Sequence, residues 1–367
     1  GKMFKTRVIN YYILKIILKI LFKTSLVFFS LLLILNLFFE INFFKEIDVN
    51  FLFPLLMSFL KSPLVIYKIF PFIFLISSIL LFIKLIEKDE LITIKVSGIS
   101  NFKIILLPIM ISFVLGIMIV SIFNPLSSLF TYKYYEIKNH FTSKNDFLAA
   151  ITENGIWIKD THLNKTNLIK ADRLEDDELM DVSIYVFNKN NENISRFEAK
   201  KANIKKKIWL LSDVKVFNKY INANAESNFS KSYLFETNIN VENIKNLFSK
   251  LETVSFWKLN KVKSNYKDIG YSTEQIDLEF QKGISYPFFI MAMTFLACII
   301  MLHTKYKVNT LYHVIFGLFI SVVIFYLNDL SKVLGQTEKI SLIQSVWMPV
   351  IIIFILGIVG SMQISDK

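Results

Sequence analysis

Residues 64–85 read LVIYKIFPFIFLISSILLFIKL, a block of Ile, Leu, Phe and Val interrupted by the charges of Lys68 and Lys84. A run of this length is what a hydrocarbon core of ~30 Å demands of a helix that satisfies its own backbone hydrogen bonds. Comparable blocks begin near Thr24, Ile104, Ile284, Leu311 and Ile343. The sequence therefore predicts three membrane spans before Tyr132 and three after Lys282.

The ends of the spans are set by charge and proline. Glu40 and Lys45 mark the far end of the first, which runs from about Thr24 to Phe44. Phe51 to Ile86 is too long for one upright span, and Lys61, Ser62 and Pro63 interrupt it. Proline lacks a donor and disfavours helix in the residue before it, so a short interfacial helix followed by a second span from Leu64 is expected. The third span is expected to stop at Asn124-Pro125. Lys15, Lys19 and Lys23 recur every four residues and share one helix face. They fit a basic amphipathic segment on the membrane surface and equally lysines snorkelling from the end of the first span. The first apolar block is too long for a cleaved signal and lacks a small-residue cleavage site, so it is read as a retained span.

Between Tyr132 and Lys282 the period shortens. Gly155-Ile-Trp-Ile-Lys159, Val182-Ser-Ile-Tyr-Val-Phe187, Ile208-Trp-Leu-Leu211 and Val214-Lys-Val-Phe217 read as separate short strands, punctuated by Asn-rich turns such as Asn188-Lys-Asn-Asn191. This predicts an all-β sandwich, jelly roll or barrel inserted between two helical halves. The expected divisions are residues 1–130, 131–282 and 283–367.

The chain has 367 residues, of which 53% are hydrophobic, and a formal charge of +12. Many lysines flank apolar blocks, so anionic lipid rather than nucleic acid is the expected partner of the charge. Lys5, Arg7, Lys15, Lys19 and Lys23, then Lys88, Lys95 and Lys103, then Lys305 and Lys307 all fall on one side of a six-span topology. That side is expected to be cytoplasmic, and the β region to lie opposite. Cys298, alone and inside an apolar block, offers the β region no disulfide.

Catalytic patterns are missing. The sequence contains no GxxxxGK[ST] loop, no HExxH and no GxSxG, and His140, His162, His303 and His313 are scattered. Glu175-Asp-Asp-Glu178 reads as an acidic surface loop, and the glycosylation patterns at Asn164 and Asn228 as chance matches. Nothing in the sequence points to an enzyme.

Between spans two and three lies Lys88-Asp-Glu-Leu-Ile-Thr-Ile-Lys-Val-Ser-Gly-Ile-Ser100. Asp89 is placed to cap a short helix over about residues 89–98, Glu90 falls in its first turn, Lys95 near its end, and Gly98 supplies a left-handed stop. One reading is a cytoplasmic coupling helix that plugs into a separate ATPase. The other is a surface helix whose charges complement its own dipole.

The Glu90-Leu91 pair followed by Ser97-Gly98 resembles the coupling segment of the LptF/LptG lipopolysaccharide-export permeases. Other stretches agree in order along nearly the whole chain. Tyr67-Lys-Ile-Phe-Pro71, eight residues after Pro63, resembles the paired prolines of the family's second span. The segments at Gly155 and Val182, and Ala199-Lys-Lys-Ala202 followed by Trp209-Leu-Leu211, resemble strands of the LptG β domain. Ser255-Phe-Trp-Lys-Leu259, Gly270 and Pro287 resemble the link into span four, and Phe325-Tyr-Leu-Asn-Asp329 with Pro349 resembles spans five and six. The strands bring the chain nearer to LptG than to LptF.

This resemblance implies an inner-membrane subunit with a periplasmic jelly roll, acting with an LptF-type permease, an LptB-type ATPase dimer, and LptC-type and LptA-type jelly-roll proteins. It implies lipopolysaccharide as cargo and no cofactor of the chain's own, since ATP and Mg would be bound by the ATPase. Glu90, Leu91, Lys95 and Gly98 would form the ATPase-coupling site. Lys45, Lys61 and Lys68 are candidates for the anionic head group, and Phe316, Phe319 and Phe325 for the acyl chains. The chain departs from the family at Leu64, where a lysine is usual, and keeps only Lys45 of a basic pair after span one. A mechanotransmission permease of the FtsX or MacB kind remains an alternative, although those place the large domain after their first span. A membrane-anchored lipid-binding scaffold is another, and the sister LptF-type subunit is the nearest alternative.

Overall fold

The computed structural model describes residues 2–365 except 46, 48, 140, 142–155, 163–164, 176, 189–192, 219–226, 238, 242–243, 245–249, 269–272, 304–308 and 338. Gly155, residues 189–191 of the Asn-rich turn, Asn164, His140, Asp176, Gly270, Lys305 and Lys307 thus lie outside the described residues. The chain divides into a helical unit (Gly1–Tyr134, Ser255–Trp257 and Leu278–Lys367) and a second unit (Tyr135–Val254 and Lys258–Asp277).

The helical unit begins with α1 (Lys2–Phe43), α2 (Leu52–Glu87) and the short α3 (Glu90–Val96). Next, α4 (Asn101–Met118) runs through a π-helical turn (Ile119–Phe123) into α5 (Asn124–Asn139). After the sheet and α6 (Leu259–Asp268) come α7 (Glu274–Leu302), α8 (Thr310–Gln336) and α9 (Leu342–Ser365). Among the described residues six helical stretches are long and apolar enough to cross a membrane. α2 and α7 supply most of the shared core, from Phe74, Leu75, Phe82, Ile290 and Met293. α1 and α8 leave most of their apolar residues exposed.

Two expected breaks are absent. α2 runs unbroken through Lys61, Ser62 and Pro63. Pro63 is buried, and the surrounding polar groups are tied together: Ser58 and Ser62 hydroxyls donate to the Pro54 and Ser58 carbonyls, and Asn36 of α1 donates to Ser62 Oγ at 3.0 Å. Inside a helical bundle such partners make a proline tolerable. Its third proline, Pro71, removes the donor for the Tyr67 carbonyl, and the Tyr286 hydroxyl of α7 donates to that oxygen instead.

The third span also continues past Asn124-Pro125. Pro125 leaves the Ser121 carbonyl without its usual donor, and the π-helical turn widens the backbone there. The indole N–H of Trp257 donates to Ser121 O at 3.1 Å, and the Phe256 amide donates to Asn124 Oδ1 at 2.8 Å. Ser255-Phe-Trp257 therefore seals the irregular turn. The first span, likewise, is part of one long helix that includes the three lysines, all exposed on one face.

The second unit carries one antiparallel sheet: β1 (Ile156–His162), β2 (Lys165–Ala171), β3 (Arg173–Glu175), β4 (Glu178–Phe187), β5 (Asn193–Asn203), β6 (Ile208–Asn218) and β7 (Ser227–Glu236). The strands pair in the order β1-β2-β4-β5-β6-β7, with β3 beside β4. Among the described residues β1 does not pair with β7, so the sheet is a meander without a closing seam.

Ile208–Leu211 and Val214–Phe217, expected as two strands, are halves of β6. Buried positions step from Trp209 and Leu211 to Val214, and Asp213 between them has φ 54°. β4 slips at the same level, from Leu179 to Val182, with Asp181 at φ 48°. The partners on either side hold register, Met180 with Lys201 and Val182 with Ala199, Ser212 with Ser232 and Val214 with Ser230. Asp181, Lys200, Asp213 and Lys231 thus occupy one row across four strands, where each strand carries an extra residue. The aspartates tolerate the left-handed backbone better than most residues, and because every strand carries its extra residue at the same level, the inward–outward alternation resets across the row while the pairing register is kept. A single alternating strand pattern cannot cross such a row, which is why the sequence split β6.

Candidate functional site

Glu90, Leu91, Lys95 and Gly98 come together in and just beyond α3. Only Lys88 and Asp89 separate it from α2, so Asp89 makes the reversal itself. It adopts φ 57° and forms no capping hydrogen bond, which corrects the expectation that it caps α3. The stop behaves as expected: Gly98 has φ 80°, and its amide donates to the Lys95 carbonyl at 3.0 Å.

The faces of α3 differ sharply. Leu91 and Ile94 are buried in the helical core. Ile92 and Val96 are 60% and 83% exposed, beside the exposed Lys95. Leu91 therefore wedges α3 onto its own chain, and the outward apolar contacts belong to Ile92 and Val96, which the sequence reading missed. Their spacing of four residues already placed them on one face.

Glu90 is held by a residue that the sequence did not single out. The phenol of Tyr12 on α1 donates to its Oε1 at 2.7 Å, and Lys88 Nζ lies 4.0 Å from the same oxygen. Its other oxygen, Oε2, is buried and has no hydrogen-bond partner among the described residues. Burying a carboxylate oxygen without a donor is costly.

Lys45 is exposed just past the end of α1. Lys61 is half-buried, with its ammonium 5.6 Å from the ring centre of Tyr134. Tyr134 in turn donates to the fully buried Glu40 at 2.7 Å. Lys68 lies two turns beyond Lys61 and one turn before Phe72, on the same side of α2. Phe72 meets Phe325 of α8 at 6.3 Å between ring centres, so the structure brings Lys68 and Phe325 to one neighbourhood. Phe316 and Phe319 sit nearer the start of α8, 38% and 64% exposed, in an apolar outer face with Val322, Val323 and Tyr326.

A charged cluster went unrecognised in the sequence. Half-buried Lys332 of α8 interacts electrostatically with Lys68, Lys282, Asp329 and Glu279. Lys282 also forms an ion pair with Glu279. Lys332, Lys68 and Lys282 are the cations of this set, and Asp329 and Glu279 its carboxylates. Lys332 follows Phe325 by two helical turns, a spacing that was available as a signal. Lys282 was read only as a domain boundary.

Among the described residues no three His, Cys, Asp or Glu side chains group as a metal site would require. The arrangement offers helix packing, a mixed-charge cluster and exposed apolar faces.

The family model described as lipopolysaccharide export system permease LptF/LptG matches residues 11–363. No individual curated protein matches the chain. The match spans all six long apolar helices, α3 and the intervening sheet. On that evidence the chain belongs to the LptF/LptG family of permeases, which serve lipopolysaccharide export through an ABC-type inner-membrane transporter.

Proposed function

We propose that the chain is the LptG-type half of a permease that draws lipopolysaccharide from the inner membrane, driven by a separate ATPase dimer. The observation that carries this reading is α3. It is a short helix between two spans, wedged by Leu91 and Ile94 and presenting Ile92, Lys95 and Val96 outward. In this reading the outward face enters a groove on an LptB-type ATPase, and a basic residue there completes the coordination of Glu90. The basic segments then face the cytoplasm and the sheet faces the periplasm.

The cargo carries phosphates on its head and acyl chains below. Lys45, Lys61 and Lys68 serve the head group, with Lys282 and Lys332 joining Lys68. Phe316, Phe319 and Phe325 serve the acyl chains. An LptF-type subunit packs against the open faces of α1 and α8 and encloses the cargo between the two subunits. The sheet serves as an open-ended jelly roll whose free edges pass lipid onward by pairing with LptC-type and LptA-type proteins. ATP and Mg stay with the ATPase.

The reading is tested with a photo-crosslinking residue at Val96 in cells that make the whole transporter. A specific adduct with the ATPase subunit supports it. Adducts with lipid alone would refute the assignment of α3.

A further inference from the structure

A cavity of about 330 Å³ opens between α1, α4 and the link that follows α3. This volume is at the lower end of the ~300–1,000 Å³ typical of small-molecule sites. Its inner wall is Ile13, Ile94 and Ile104, each buried, while Leu106 and Met110 at its mouth are 40% and 49% exposed. Polar groups on its lining are Asn10 and the exposed Lys103.

The placement of these residues identifies the occupant. Leu106 and Met110 belong to a membrane-spanning stretch, so the mouth faces acyl chains rather than water. Water gains little in a space lined so largely by aliphatic groups. Lys103 begins the same helix, two residues after Asn101, where the apolar stretch meets the polar link. A cation at that level attracts an anionic head group while the cavity beside it takes hydrocarbon.

We propose that this cavity binds one acyl chain of an anionic phospholipid from the surrounding bilayer, with Lys103 engaging its phosphate. Ile94 of α3 forms part of the wall, so the bound chain also braces α3 from behind. The site is separate from the Lys68–Phe325 neighbourhood and does not depend on the cargo. It requires only that the six helices lie in a bilayer, so failure of the export reading would leave it standing.

The test uses the full chain, extracted from membranes with equal phosphatidylglycerol and phosphatidylcholine, with retained lipid counted by native mass spectrometry. The expected result is a preference for phosphatidylglycerol on the order of fivefold, the effect of a single interfacial lysine. Lys103→Gln should abolish the preference, and Met110→Trp, which fills the mouth, should reduce retention of both lipids. Lys215→Gln, on β6 and outside the cavity, should change neither. Equal retention of the two lipids by the native chain would overturn the proposal, as would an undiminished preference in Lys103→Gln. Lipid that is lost once the ATPase and second permease bind would assign the cavity to a protein neighbour and overturn it too.

Discussion

Tyr286 of α7 donates its hydroxyl to the carbonyl of Tyr67, the acceptor that Pro71 leaves without a backbone donor in α2. The two rings also stack, 4.6 Å apart and 7° from parallel. A proline in the middle of a membrane helix is thus tied to a residue more than two hundred positions later. Tyr286→Phe should destabilise the chain by about 1–3 kcal/mol, the cost of a buried unmet acceptor. Pro71→Ala restores the amide, so adding Tyr286→Phe to it should cost far less. Denaturant unfolding of the four variants checks this, and equal costs in both backgrounds would contradict it.

Trp257 does the same for Ser121 at the π-helical turn. Trp257→Phe keeps an aromatic ring but removes the donor, and should also cost about 1–3 kcal/mol. Amide hydrogen exchange should quicken around Ile119–Phe123 and remain unchanged at the far end of α4.

Close approach separates two glycines. A Cβ on Gly116 would lie 2.8 Å from the backbone Cα of Pro287, whereas one on Gly317 would meet the side-chain tip of Ile79 at 2.6 Å. A rotatable methyl can move and a backbone atom of another helix cannot. Gly116→Ala should therefore lower the melting temperature well beyond Gly317→Ala, even though the second contact is nominally shorter. Equal shifts would show that α4 and α7 adjust more freely than this packing suggests.

The row of extra residues across the sheet makes a further distinction. Asp213 has φ 54°, a conformation costing a β-branched residue about 1–2 kcal/mol. Asp213→Val should destabilise the sheet by about that amount, and Asp213→Gly should be neutral or better. Lys215→Val, two residues further along β6, should cost little. Unfolding followed by circular dichroism in the strand region measures all three.

Glu90→Lys reverses the charge that Tyr12 and Lys88 now hold. It should uncouple ATP hydrolysis from export while leaving membrane insertion intact. Tyr12→Phe should weaken coupling less, since it frees Glu90 without repelling a basic partner. Normal lipopolysaccharide export by Glu90→Lys would remove Glu90 from the coupling site.

The long apolar blocks, the short strands and α3 were legible because each is a local pattern of period or charge. Gly98 could be named as a left-handed stop for the same reason. Pro63 and Pro125 misled, because their local tendency to break a helix is cancelled by partners remote in sequence: Asn36 near Pro63, Trp257 near Pro125. Asp213 misled in the other direction, splitting one strand into two. Tyr12 was invisible as a partner of Glu90, being seventy-eight residues away. Lys332 meets the fields of Lys68 and Lys282 only through the packing of α2, α7 and α8, which no spacing rule reveals.

The central claim is that lipopolysaccharide passes from this membrane unit into its own sheet when ATP is consumed. Photo-crosslinking from position 216, on the half-buried run of β6, in proteoliposomes containing the whole transporter and lipopolysaccharide, tests it most directly. The account expects adducts that accumulate with ATP and disappear when the ATPase is inactivated. Adducts that form equally without ATP, or none at all while export proceeds, would contradict it.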